Sequence, residues 1–175
     1  MRFPSVAIAV CVFASRAAAQ GPPPVLINAP YVTTPESVVR AMLQLAGVTS
    51  RDTVYDLGCG DGRIVIAAAK LGAHGKGIDI NPERILEARA NARKAGVEAL
   101  VKFETGDVFE ADIGEATVVA LYLLPDQNIR LRPKLLKDLK PGTRVVSHAF
   151  GIGDWVPEKK RIVDGSPIYL WTIPR

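Results

Sequence analysis

Val54-Tyr55-Asp56-Leu57-Gly58-Cys59-Gly60-Asp61-Gly62-Arg63 joins an apolar strand to a helix through a glycine turn that carries two acids. A glycine turn at this junction opens a doubly wound α/β sheet and places the ligand at the helix N-terminus. In a dinucleotide-binding unit the spacing is G-x-G-x-x-G and the backbone amides approach a pyrophosphate. Here the spacing is G-x-G-x-G, and Asp56 and Asp61 border the place where those phosphates would lie. Like charges a few ångströms apart repel by kilocalories per mole even at an intermediate effective dielectric. The turn therefore disfavours a phosphate ligand and favours one with cationic charge.

S-adenosyl-L-methionine meets that requirement. Its ammonium and sulfonium outweigh its single carboxylate, and a compact glycine backbone can close over its methionine part. The turn is similar to motif I of the class I S-adenosylmethionine-dependent methyltransferases, an acid followed by alternating glycines. Ile78-Asp79-Ile80 ends a second short strand with an acid, where a carboxylate can accept both ribose hydroxyls. Gly106-Asp107-Val108 follows a third apolar strand, Leu100 to Phe103, and in the family that acid lies beside the adenine amino group. The resemblance thus implies a cofactor set of Asp56, Gly58, Gly60, Gly62, Asp79 and Asp107, joined by Thr34 ahead of the first helix. Plainer roles stand beside these: Asp61 as a cap on the following helix and Asp107 as the holder of a turn.

The 175 residues, 48% of them hydrophobic, suffice for one core and leave no room for a second domain. The first twenty residues read as a targeting segment: Arg2, an apolar stretch from Val6 to Ala14, then Ala17-Ala18-Ala19-Gln20. The apolar stretch is too short to span a bilayer as a stable helix. Residues 21–29 form a Pro-rich spacer, and residues 30–175 form the folded domain. An export signal places the protein at or beyond a membrane; because S-adenosylmethionine is made in the cytosol, a misassigned start codon is the alternative, and the protein is then cytoplasmic. The formal charge is +4, and without Arg2 and Arg16 there remain 20 basic and 18 acidic residues. That balance gives no strong nucleic-acid signal. The two cysteines are Cys11 and Cys59. Loss of the leader leaves Cys59 alone, as a small loop filler, and no His/Cys cluster has metal-ligand spacing.

Strands and helices alternate along the rest. Thr34 can cap a helix with Pro35 at its first position, and Gly47 ends it. Thr53 to Leu57, a helix from Arg63 to Leu71, a strand near Gly77 to Asp79, and a helix from Pro82 stopped by Gly96 follow. Ala116 to Leu124 is a continuous apolar run, as expected of a central parallel strand covered on both faces. Pro125 and Pro133 divide the next region into a short turn and a basic helix reaching Leu139. After the strand Thr143 to His148, Arg161 to Val163 and Ile168 to Ile173 flank Asp164-Gly165-Ser166-Pro167 as a hairpin. The order implies a doubly wound, Rossmann-like α/β sheet. The resemblance makes it the seven-stranded methyltransferase sheet with a C-terminal antiparallel hairpin.

Three segments narrow the resemblance: Pro30-Tyr31-Val32-Thr33-Thr34-Pro35, the motif Asp56 to Arg63, and Leu139 to His148 followed by Phe150. Together they are similar to small archaeal protein-lysine methyltransferases and to the ATP synthase c-subunit lysine methyltransferases. One departure is Thr33, where those sequences more often carry proline. Enzymes that methylate amino groups of nucleic acids or glutamine commonly carry an Asn/Asp-Pro-Pro-aromatic motif after the fourth strand. The corresponding Tyr122-Leu123-Leu124-Pro125 has no amide or acid to hold a planar amino group. The resemblance implies a protein substrate that offers a lysine side chain. A lysine amine reacts only when neutral, and its ordinary pKa is about 10.4, so an apolar mouth beside a sulfonium assists it. Tyr31, Tyr122 and Phe150 are the candidate catalytic wall, with Trp155 beside them. Each has a plainer role: Tyr122 as core, Phe150 under the hairpin, Trp155 as a loop anchor. His148 reads as a core histidine bonded to backbone rather than a proton acceptor. An RNA or small-molecule methyltransferase, or a non-catalytic cofactor-binding protein, are the alternative functions.

Overall fold

The computed structural model describes residues 32–175. The targeting segment, the Pro-rich spacer and Tyr31 lie outside the described residues. Seven strands and four α-helices alternate in the order α1 (Glu36–Leu45), β1 (Thr53–Leu57), α2 (Arg63–Lys70), β2 (His74–Asp79), α3 (Pro82–Lys94), β3 (Val101–Thr105), β4 (Val118–Leu121), α4 (Pro125–Asp138), β5 (Arg144–His148), β6 (Lys159–Val163) and β7 (Ser166–Thr172). They form one sheet in the order β3-β2-β1-β4-β5-β7-β6. The first five strands are parallel, and β7 runs antiparallel between β5 and β6. This is a doubly wound, Rossmann-like sheet of seven strands with a C-terminal antiparallel hairpin, as the sequence implies. The order reverses between β1 and β4, so the crevice at their carboxyl ends is the ligand position.

Period-2 alternation builds the layers. On β4, Val118 and Ala120 face the core beneath α1 and α2 with Val38, Met42, Ile64 and Ala68. Val119 and Leu121 face the opposite core with Leu131 and Leu135 of α4 and Trp171 of β7. The four β4 residues are fully buried, as a central parallel strand requires.

The differences from expectation are local. Pro133 lies inside α4 and does not break it. The buried face Asn128, Leu131 and Leu135 anchors the helix on the sheet, and packing outweighs the one backbone bond that proline removes. Pro35 and not Thr34 is the N-cap of α1, because the Thr34 hydroxyl pairs with His148 Nδ1 at 3.1 Å. The hairpin turn is two residues, Asp164 and Gly165, with φ of 49° and 78°. Positive φ at both central positions is the signature of a type I′ turn, so Ser166 and Pro167 belong to β7. By contrast Asn81 caps α3 as expected, its side chain accepting from Glu83 N at 2.8 Å.

Candidate active site

β1 delivers Asp56 to the sheet's carboxyl edge, and the chain then turns through Gly58, Gly60 and Gly62, with φ of 86°, 51° and 80°. That left-handed region is strained for other residues. Space forbids a side chain too: a Cβ on Gly62 would lie 2.7 Å from the Phe103 ring and 2.9 Å from Ala88, and one on Gly58 would lie 2.8 Å from Leu123. The loop is pinned to β2 by backbone and carboxylate. Gly58 N and Cys59 N donate to Ile78 O at 2.8 and 3.0 Å, and Gly60 N donates to Asp79 Oδ2 at 2.8 Å. Asp79 Oδ1 accepts from Asn81 N at 2.9 Å. Asp79 is therefore a fastener of the loop as well as an acid at the end of β2. Sequence reasoning misses Gly77, where a Cβ would lie 2.6 Å from Phe103 and 2.8 Å from Cys59 Sγ. A lone small residue inside a strand carries no such signal in one dimension.

The acids differ in state. Asp56 is 2% exposed, and the charges that act on its carboxylate are those of two other acids. Burial first, then Asp79 and Asp61, push its pKa up to about 8. Asp61 pairs with Arg63, whose Nε lies 2.9 Å from Oδ1, while Arg63 donates through another nitrogen to Thr34 O at 2.9 Å. Arg63 thus ties the segment before α1 to the glycine loop. Asp61 also accepts from Arg63 N at 3.3 Å, but Gly62 and not Asp61 is the N-cap of α2. Asp107 is exposed and accepts from Phe109 N at 2.9 Å, which is the turn-holding role. Cys59 is buried, and burial together with Asp56 pushes its thiol up, so it fills space and does not ionise.

The second wall comes from the ends of β4 and β5. Tyr122 is half-buried and its ring lies on His148, centroids 4.1 Å apart. His148 is 3% exposed and neutral, its pKa lowered by burial; it bonds to a threonine hydroxyl and not to backbone. Phe150 is half-buried, and its carbonyl accepts from Ser147 Oγ at 2.7 Å. Trp155 packs on Trp171 with centroids 5.8 Å apart and accepts at its carbonyl from Trp171 Nε1 at 2.8 Å; these contacts are those of a loop anchor. Leu123, packed on Gly58, brings this wall against the glycine loop.

A model of the ANTKMT methyltransferase domain matches residues 56–159. The chain belongs to the ANTKMT methyltransferase family. A protein-lysine N-methyltransferase of Saccharolobus islandicus (strain REY15A) is 53% identical over 152 residues, 83% of this methyltransferase and 94% of that protein. The human lysine N-methyltransferase of the ATP synthase c-subunit is 33% identical over 108 residues, 62% of this chain, which spans 46% of that protein's length. A Salinibacter ruber protein described as an RNA methyltransferase, crystallised with S-adenosyl-L-homocysteine, superposes with a TM-score of 0.81 at 56% identity, over 82% of this chain and 95% of that one. The protein is an S-adenosyl-L-methionine-dependent methyltransferase, and its residues fit that cofactor. Asp56, buried beside the like charges of Asp79 and Asp61, is the acid that a cation would keep charged, and the side-chain-free loop leaves backbone room beside it. Among the described residues no group of His, Cys, Asp or Glu could hold a metal, and no helix is long and apolar enough to cross a membrane.

Proposed function

We propose that this methyltransferase modifies lysine side chains of a protein. The observation that carries the reading is the acceptor wall: Tyr122 in tilted ring contact with a neutral His148, with no acid or amide from Tyr122 to Pro125. Such a wall desolvates an amine and offers nothing to grip a planar amino group. The Saccharolobus relative named for protein lysine supports the same reading. The Salinibacter protein's description favours RNA, but the basic run on α4 does not form an open phosphate-binding stripe. Arg132 pairs with Asp154, Lys134 with Asp138, and the Arg130 guanidinium lies 3.7 Å from the Phe109 ring centre.

When bound, S-adenosyl-L-methionine supplies a methyl group on a sulfonium, open to in-line attack. In this reading Asp56 would hold the cofactor's ammonium, Asp79 its ribose with the lone pairs left by Gly60 and Asn81, and Asp107 its adenine edge. Gly58, Gly60 and Gly62 let the backbone close on the methionine part, and Thr34 acts from the segment before α1. Tyr31, Tyr122 and Phe150 align the entering amine, and alignment matters more here than a strong base. Residues 1–20 act as an export-like signal that brings the enzyme to a membrane, and a reporter active only outside the cytosol, fused to residues 1–25, tests that.

Labelled cofactor incubated with the enzyme and a lysate, followed by mass spectrometry, tests the acceptor class. Label on protein lysines that survives ribonuclease supports the reading. Label confined to RNA or small metabolites overturns it, and tight cofactor binding with no transfer leaves a non-catalytic binding protein.

A further inference from the structure

Two buried side-chain atoms among the described residues have no hydrogen-bond partner: His148 Nε2 and Asn128 Oδ1. Buried polar atoms are as a rule paired, and leaving one unpaired is costly. Both atoms belong to the wall at the ends of β4 and β5, but they are not equivalent. Asn128 Nδ2 donates to Gly151 O at 3.2 Å and lies 3.5 Å from Phe150 O. That amide is a strut for the loop after β5, and its oxygen is the unused end of the strut.

His148 has the geometry of a held ligand group. Nδ1 is fixed by Thr34 Oγ1 at 3.1 Å, and one ring face is fixed by Tyr122. The chain then leaves the strand abruptly: Ala149 has φ 64°, and Phe150 N donates back to His148 O at 2.8 Å. A three-residue turn closed at positive φ is the strained γ-turn, rare outside over-determined sites. It makes the imidazole the last β5 side chain on the edge where ligands of this topology bind. A clamped ring with one nitrogen engaged and the other empty has a defined direction for a further partner.

We propose that His148 Nε2 accepts a hydrogen bond from the methyl-acceptor amine and turns its lone pair toward the donor methyl, with Thr34 and Tyr122 as positioning residues. The inference rests on the lysine reading, since it takes the acceptor to be an amine. It requires the tautomer in which Nδ1–H donates to Thr34 Oγ1, leaving the Nε2 lone pair free. The acceptor ammonium sheds one proton to water; the N–C bond then forms as the C–S bond breaks, and the C–S electron pair stays on sulfur.

Two substitutions separate the ring's two nitrogens. His148→Asn keeps a polar group near Nδ1 for Thr34 and removes Nε2, whereas His148→Gln reaches the Nε2 position and gives up the Thr34 bond. The expected result is a kcat loss of about a hundredfold for His148→Asn, a smaller loss for His148→Gln, and cofactor affinity in both close to that of the parent. Parent-like kcat in His148→Asn, or an Asn variant faster than the Gln variant, overturns the proposal. A measurement on the native residue guards against misfolding: the chain has two histidines, so a His74→Gln protein reports His148 alone by nitrogen NMR. Acetyl-lysine amide, added with S-adenosyl-L-homocysteine at a concentration that halves methyl transfer, should shift Nε2 and leave Nδ1 protonated. An unmoved Nε2 overturns the proposal. Label on lysine with an unaffected Asn variant sinks this inference alone, whereas label only on RNA sinks the lysine reading itself.

Discussion

The two ends of β1 each carry a buried acid, and their surroundings are opposite. Asp52, just before the strand, is 7% exposed and saturated: Thr49 N at 2.8 Å, Thr117 Oγ1 at 2.7 Å and the Arg144 guanidinium all donate to it. Burial alone would raise its pKa, but these donors outweigh burial and hold it below the usual carboxylate value. Asp56, at the other end, is 2% exposed with no such donor, and burial pushes it up to about 8. The amino-terminal edge of the sheet is thus built for stability. The carboxyl-terminal edge instead buries an acid beside two like charges. His148 and Asn128, whose buried polar atoms lack partners, lie on that second edge as well.

The largest expected effect tests the stable end. Arg144→Ala leaves the Asp52 carboxylate buried without its guanidinium, and unfolding free energy should fall by about 3 kcal/mol with cofactor affinity unchanged. A denaturation midpoint equal to the parent's would dissolve the contrast. Next is the functional end, where Tyr122→Ala should slow turnover by about a hundredfold while calorimetry finds cofactor binding intact. Comparable losses in both would make Tyr122 plain core.

Asp56→Asn should weaken S-adenosyl-L-methionine by about tenfold or more, the loss expected of one charge-assisted contact. It should also change how stability depends on pH. Between about 4 and 8 the folded state keeps the Asp56 proton that the unfolded state has lost, so Asp56 makes stability fall as pH rises through that window. The asparagine variant should lose that slope. Asp52 acts the other way, its contribution present above the ordinary carboxylate pKa and lost on acidification below it. Melting temperatures across pH for the parent and Asp56→Asn test this, and an unchanged slope in Asp56→Asn would refute its raised pKa. Cofactor affinity of the parent should rise toward pH 8 as Asp56 ionises.

The smallest effect belongs to the surface of α4. Lys134→Ala removes a half-buried ion pair with Asp138 within one helix, and should lower stability only slightly and leave methyl transfer unchanged. A large loss of transfer there would favour a nucleic-acid acceptor.

The fold is legible in the sequence because its signals are local. The glycine turn, the Asn81-Pro82 start of α3, the apolar run that contains β4 and the hairpin at Asp164-Gly165 each act within a few residues. Pro133 misleads because packing of Leu131 and Leu135 against strands far away in sequence decides that helix. Thr34 looks like a cap because the competing partner, His148, is 114 residues away.

By itself the sequence determined the sheet, the ligand edge and the acidic glycine loop, since backbone conformation and hydrophobic periodicity are written in neighbouring residues. Tertiary structure alone decided the state of each polar group: that Asp52 is saturated and Asp56 is not, that Asp79 fastens the loop, and that His148 is clamped with one nitrogen empty. The reason is that a pKa or an unmet hydrogen bond depends on which distant strands and loops arrive around the group, and burial makes those few contacts decisive.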